Sequence, residues 1–238
     1  MGQNVVMDAD RLFSSDPAER EIARRLYKEV NGLPIISPHG HTDPRWYAAD
    51  DPFPDPTALF LLPDHYLLRM LYSQGVPLEK LGVPRTDGGP VEQDPRKAWR
   101  LFAEHYPLFR GTPSRLWFEQ VLYFQFGIDR RLDPLSADEI YDRIAEALLQ
   151  PEFRPRRLYE RFNIEAIATT DSPLDSLEHH RGIAASGWKG KVVPAFRPDC
   201  VTDPDFPGFR ANVARLAGIT GEDTGSWEGY LRALTERR

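Results

Sequence analysis

Leu33-Pro34-Ile35-Ile36-Ser37-Pro38-His39-Gly40-His41-Thr42-Asp43 is the stretch whose reading decides the fold. Leu33 to Ile36 is apolar, too short for a helix and bounded by Gly32, so it reads as a buried strand. Side chains alternate along a strand, so His39 and His41 project the same way across Gly40. Two imidazoles on one face at a strand end can converge on a divalent cation, and catalytic zinc sites use nitrogen ligands of this kind. The same spacing also reads as two polar residues in a loop after a strand, because His-x-His alone is a weak motif.

On the N-terminal side, Asp16-Pro17 with Glu19 opens a helix. Its face is Ile22, Leu26 and Val30, and Gly32 stands where a C′ residue belongs. On the C-terminal side, the next strand pattern arrives only at 164, a gap too long to lack structure. Helix starts are expected at Asp64, at Asp94-Pro95, at Pro113-Ser114 and at Ser136 with Glu139. The third of these, SRLWFEQVLYFQF, is apolar nearly all round and reads as the centre of a helical subdomain or as a subunit contact. Residues 164–171 form a second strand ending in Asp171. Ser172, Pro173 and Asp175 then read as the start of a helix reaching about Ser186. A third strand covers 191–197, although Pro194 inside it counts against that assignment. Helical patterns through Phe209, Val213 and Leu216 and through Trp227, Tyr230, Leu231 and Leu234 follow.

Strand alternating with helix signals a parallel sheet with right-handed crossovers. The three strands end in His39/His41, Asp171 and Arg197/Asp199, and a (β/α) barrel places its active site at such C-terminal strand ends. Three strands fall short of the eight of a barrel, which takes about 250 residues. The expected fold is therefore α/β, the N-terminal part of a (β/α)8 TIM barrel, with a large helical insertion after strand 1. The divisions are residues 1–42, 43–163 and 164–238. On this reading the chain is truncated and inactive alone.

The net charge of −6 argues against nucleic acid or anionic lipid as a partner. No run approaches the ~20 apolar residues of a membrane span. The opening MGQNVVMDADRLF lacks the apolar stretch of a signal peptide, and Cys200 is the single cysteine, so a cytoplasmic location is expected.

Several motifs in order carry a resemblance. ProIleIle with HisGlyHisThrAspPro at 34–44 resembles the first-strand metal motif of the amidohydrolase superfamily. Asp64-His65-Tyr66-Leu67-Leu68-Arg69-Met70 with Gly75-Val76 is similar to the uronate (glucuronate) isomerase family within it. So are Phe124-Gln125-Phe126-Gly127-Ile128, Thr169-Thr170-Asp171-Ser172-Pro173 with Asp175-Ser176-Leu177, and Phe196-Arg197-Pro198-Asp199. The chain departs from the family pattern at Ser37-Pro38, at Gly40, where a larger residue is expected, and at Ser172, where a second Asp is expected. The resemblance implies an aldose–ketose isomerase acting on hexuronates, converting D-glucuronate to D-fructuronate and D-galacturonate to D-tagaturonate. It makes His39 and His41 ligands of a divalent metal, zinc by preference, with a further carboxylate from the last barrel strand. Tyr66 resembles a proton-transfer tyrosine. His65, Arg69, Asp171 and Arg197 fall at substrate-binding positions, with Arg197 suited to a sugar carboxylate. Bracing of a loop by an Arg197–Asp199 pair, packing by Tyr66 and Met70 with His65 a first-turn surface group, and a helix-fixing Arg69 are the competing readings. Asp171 also reads as a structural carboxylate at a helix start. His105, His179 and His180 read as surface groups. A homo-oligomer is expected of the full-length form. Competing functions are a metal-dependent hydrolase of the same superfamily and a non-catalytic half-barrel interaction module.

Overall fold

The computed structural model describes residues 4–5 and 7–238. In chain order the elements are α1 (Pro17–Val30), β1 (Ile35–Ser37), α2 (Pro44–Ala49), α3 (His65–Ser73), α4 (Pro95–His105), α5 (Pro113–Phe126) and α6 (Ala137–Leu148). Then come α7 (Pro155–Arg161), β2 (Ile164–Asp171), α8 (Glu178–Ala185), β3 (Lys191–Phe196), α9 (Asp199–Thr202), α10 (Phe209–Thr220) and α11 (Trp227–Arg237). A π turn lies at Thr57–Leu61, and 3₁₀ turns at Leu78–Leu81, Tyr106–Phe109 and Pro151–Phe153. The chain divides into a helical unit, Met1–Gly32 with Pro52–Arg154, and a sheet unit, Leu33–Asp51 with Pro155–Arg238.

In the helical unit, aspartates start the helices. Asp16 Oδ1 accepts from the Ala18 and Glu19 N–H groups at 2.9 and 3.0 Å, and Asp94 Oδ1 accepts from Arg96 N–H at 2.9 Å, with proline at N1 both times. The core is aromatic. Phe118 meets Phe102, Trp99 and Tyr106 with ring centroids 5.7–6.0 Å apart, and Trp99 Nε1 donates to Ala137 O at 2.9 Å. Helix α5 is less enclosed than its composition suggests: Phe118 and Leu122 are buried, whereas Trp117 and Phe124 are exposed. Ser136 does not cap α6. Its side chain is wholly buried and donates to Arg131 O, while Asp133 Oδ1 accepts from the Leu135 and Ser136 N–H groups. The Ile22, Leu26 and Val30 face of α1 is exposed, and Gly32 is not left-handed.

The sheet unit carries a parallel sheet in the order β1-β2-β3, with Ser37 opposite Ile167 and Asp171 opposite Phe196. Pro194 sits opposite Thr169 within β3, which it tolerates because β3 has a strand on one side only among the described residues. Ile167 packs with Tyr47, Tyr159 and Ile183, bringing α2, α7 and α8 onto one face of the sheet. Arg156 ties α7 to α2 by donating to Tyr47 O and Ala48 O, with its N–H on Asp50 Oδ1. A second cluster joins Leu174, Val201, Leu216 and Ala233.

Three expectations need correction. Strand β1 is not buried: it is three residues long, it pairs with β2 alone among the described residues, and Leu33, Ile35 and Ile36 are exposed, Ile36 by 63%. Helix α8 starts at Glu178 rather than after Ser172. Ser172 Oγ accepts from Leu174 N–H and Asp175 Oδ1 from Leu177 N–H, and these local turns hold the backbone off the helix. The divisions at 42 and 163 also move. Helix α1 groups with the helical unit, while α2 and α7 group with the sheet because Tyr47 and Tyr159 lie in its core.

Candidate active site

The candidate residues fall into two groups, one in each unit. In the sheet unit, His39 and His41 lie beyond β1 in the loop that leads to α2, not on the strand itself. Their Nε2 atoms are 3.0 Å apart. The residue between them sets the path. A Cβ on Gly40 would stand 2.9 Å from Ala168 O, and Thr170 Oγ1 donates to Gly40 O at 2.8 Å. The loop is thus laid directly on β2, which only a residue without a side chain permits. Asp43 closes the segment by capping α2 through Arg45 N–H.

At the end of β2, Asp171 is buried. Its Oδ2 accepts from Thr169 Oγ1 at 2.6 Å, and Thr169 Oγ1 also lies 2.8 Å from His180 Nε2 on α8. Strand alternation puts Ile167, Thr169 and Asp171 on one face, and Ile167 packs among the helices. The Asp171 carboxylate is therefore engaged on the helix-covered face. His180, read as a surface group, is nearly buried, with only 9% of its side chain exposed. At the end of β3, Arg197 N–H donates to Asp171 O at 2.9 Å, and Arg197 Nε donates to Asp199 Oδ2 at 2.7 Å. Both side chains of that pair are more than half exposed. The strand ends therefore bring the histidine pair, Asp171 and Arg197 to one edge of the sheet.

In the helical unit, Asp64 caps α3 by accepting from Tyr66 and Leu67 N–H at 2.8 and 3.1 Å. Leu67 and Leu71 are buried, which turns His65, Tyr66 and Arg69 outward. Tyr66 is 58% exposed. Its ring lies 4.3 Å from that of His65, the Arg69 guanidinium stands 5.0 Å over it, and Arg69 Nε donates to His65 O.

Two metal-bound nitrogens each 2.0–2.1 Å from a tetrahedral zinc stand about 3.3 Å apart. The His39–His41 separation approaches this, so the pair fits a shared cation. Among the described residues no group of three or more His, Cys, Asp or Glu side chains could hold one, so the donor set within this chain is partial. Sequence reasoning missed Thr169, Thr170 and His180. The Thr-x-Asp alternation at the end of β2 was the available signal for the first, and no spacing rule pointed to His180.

Fold and strand ends define an α/β chain whose polar residues gather where parallel strands finish. The family model described as Glucuronate isomerase matches residues 11–238, and the chain belongs to that family. It is 60% identical over 233 residues to the uronate isomerase of Rhizobium meliloti (strain 1021), covering 98% of this chain and 50% of that one. It is 63% identical over 229 residues to that of Rhizorhabdus wittichii, covering 96% and 48%. Among solved structures, glucuronate isomerase from Caulobacter crescentus superposes with a TM-score of 0.95 at 51% identity, covering 99% of this chain and 49% of that one. Uronate isomerase from Thermotoga maritima superposes with a TM-score of 0.85 at 28% identity, covering 98% and 48%. The chain spans about half the length of the curated relatives it matches. No helix among the described residues is long and apolar enough to cross a membrane.

Proposed function

We propose that the full-length protein is a uronate isomerase that interconverts D-glucuronate with D-fructuronate and D-galacturonate with D-tagaturonate through an enediol. The observation that carries this reading is the placement of His39, His41 and Arg197 just beyond the carboxyl ends of parallel strands in a member of the glucuronate isomerase family. Aldose–ketose isomerisation moves a proton between C2 and C1, steadies the enediol oxygens and holds the carboxylate. Arg197 takes the carboxylate as a paired hydrogen-bonding partner, exchanging its contact with Asp199. Tyr66 carries the proton, His65 hydrogen-bonds substrate oxygens, and Arg69 fixes the Tyr66 ring from above. His39 and His41 would hold a divalent cation, zinc by ligand type, with donors beyond the described residues. Bound there, it supplies polarisation of substrate oxygens.

On this proposal β1, β2 and β3 are the first strands of a (β/α)8 barrel of the amidohydrolase type. The exposed Trp117 and Phe124 of α5 favour a homo-oligomer, and a single cysteine suits a reducing cytoplasm.

The test uses the full-length protein and D-glucuronate. Formation of D-fructuronate is expected, and Tyr66→Phe should lower kcat by about 10²–10⁴. Wild-type turnover in that variant would return Tyr66 to a surface role. Arg197→Met should cost on the order of 1.5–3 kcal/mol of transition-state binding with uronates and little with the matching neutral aldohexoses. Equal losses on both would mean that Arg197 braces its loop with Asp199. His39→Ala with His41→Ala should abolish bound zinc in elemental analysis, and unchanged metal content would remove the metal reading.

A further inference from the structure

We propose that His180 is a positioning residue for the carboxyl edge of the sheet, acting through Thr169 and Asp171 on the histidine loop and on Arg197. The inference rests on the uronate isomerase reading and adds to it a residue with no contact to substrate.

The direction of the hydrogen bonds follows from proton counting. A threonine hydroxyl has one proton and two lone pairs. Thr169 Oγ1 has Asp171 Oδ2 at 2.6 Å, His180 Nε2 at 2.8 Å and Val193 O at 3.3 Å. The shortest distance is that of a hydroxyl donating to a carboxylate, so the proton goes to Asp171. Thr169 Oγ1 is then an acceptor toward His180, and His180 Nε2 must carry the hydrogen. The chain runs from His180 Nε2–H to Thr169 and from the Thr169 O–H to Asp171. His180 Nε2 and Asp171 Oδ2 are themselves 3.9 Å apart, so Thr169 is the necessary link.

What this chain holds is the last turn of strand before the chemistry. Asp171 O accepts the Arg197 N–H at 2.9 Å. Thr170, between the two bonded residues, donates to Gly40 O, and Gly40 sits between His39 and His41. Three buried or nearly buried polar side chains therefore fix one strand end from which both chemically capable loops hang. Because α8 begins only at Glu178, His180 lies within its first turn and couples that helix to the strand end.

The test compares His180→Leu, which fills space without a donor, with His180→Gln, whose side-chain N–H can donate to Thr169, in the full-length protein. Loss of one such bond should raise KM for D-glucuronate about 10-fold in His180→Leu while kcat falls by less than about 3-fold, and His180→Gln should restore KM to within about 3-fold. His180→Leu combined with Asp171→Asn should be no worse in KM than the poorer single variant, because both cut one chain. Equal KM values in the Leu and Gln variants, unchanged KM with only a lowered Tm, or additive double-variant losses would overturn the proposal. A wild-type protein without isomerase activity would remove the functional reading instead. Ring-nitrogen NMR shifts of His180 would then decide the chain of bonds: a protonated Nε2 upholds it, and a bare Nε2 overturns it.

Discussion

The two units are held together differently. The largest fully buried side chains, Trp99, Tyr106, Phe102 and Phe109 with Leu61, Leu71, Leu81, Leu122, Ile128, Leu132, Ile140 and Ile144, all belong to the helical unit. The sheet unit buries smaller clusters around Ile167 and Leu216 and leaves the apolar side chains of β1 exposed. Burial of apolar surface is the main stabilising term, so the helical unit carries more of it for itself. The sheet unit instead orders its carboxyl edge with directed bonds: Thr169 to Asp171, Thr170 to Gly40 and Arg197 to Asp171. Even the helical unit keeps its candidate residues off its core, since α3 buries Leu67 and Leu71 and turns Tyr66 outward.

The largest expected effect tests that division of labour. Trp99→Ala in the 238-residue chain removes a ring that touches Phe102, Phe118 and Tyr141 and a hydrogen bond to Ala137 O. Such a truncation costs about 3–5 kcal/mol. Ile36→Ala, at an exposed position of β1, should change the stability of the same chain by no more than about 0.5 kcal/mol. Urea unfolding followed by tryptophan fluorescence and by circular dichroism measures both. Similar costs at the two positions would mean that β1 is as well packed as the helical core, and the contrast would fail.

The same contrast explains what could be read from the residues alone. The capped helices were legible because Asp16-Pro17, Asp64 and Asp94-Pro95 act locally, within three residues of their own side chains. The run 164–171 was legible as β2 because it is long and rich in β-branched residues. Ser136 and Ser172 misled because a serine hydroxyl finds several local partners besides a helix N-terminus, Arg131 O for one and Leu174 N–H for the other. The apolar composition of β1 suggests burial, but burial depends on what covers a strand, which its own residues do not encode. At the site, the types and order of His39, His41, Tyr66 and Arg197 were visible as motifs. The helix-facing engagement of Asp171 with His180 was not, because it depends on how α8 lies against β2.

A smaller effect should follow from Gly40→Ala. The added methyl group would meet Ala168 O at 2.9 Å, closer than a carbon and a carbonyl oxygen tolerate, so the loop must lift away from β2. Overpacking of this kind costs about 1–3 kcal/mol. The loss should fall on the sheet unit and loosen the Thr170 contact that holds the histidine pair. In the full-length protein, zinc retention in elemental analysis should drop while the helical unit keeps its unfolding midpoint. Full retention with unchanged stability would show that the loop has room to spare, and that the close approach is not what aligns His39 with His41.

The smallest effect lies inside the better-packed unit and runs in the opposite direction. Tyr106 is buried among Phe102, Phe109 and Phe118, and its hydroxyl has no hydrogen-bond partner among the described residues. Burial, with the nearby Glu119 charge adding to it, pushes the hydroxyl well above the ordinary tyrosine range, so it stays protonated and unsatisfied. A buried donor without a partner is costly, so Tyr106→Phe should stabilise the chain by up to about 1 kcal/mol. The pH dependence has a definite sign. A folded-state pKa above the unfolded value of about 10 gives the native state more bound protons at alkaline pH, so its contribution is present below pH ~10 and is lost above it. Tyr47, Tyr141, Tyr159 and Tyr230 are also raised by burial, so only the difference between variant and wild type isolates Tyr106. That difference, measured by urea unfolding, should be small and favourable at pH 8 and should widen in favour of Phe above pH ~10. A Tyr106→Phe chain less stable than wild type at pH 8 would mean that the hydroxyl is satisfied after all, and that the aromatic core depends on a polar contact as the sheet's edge does.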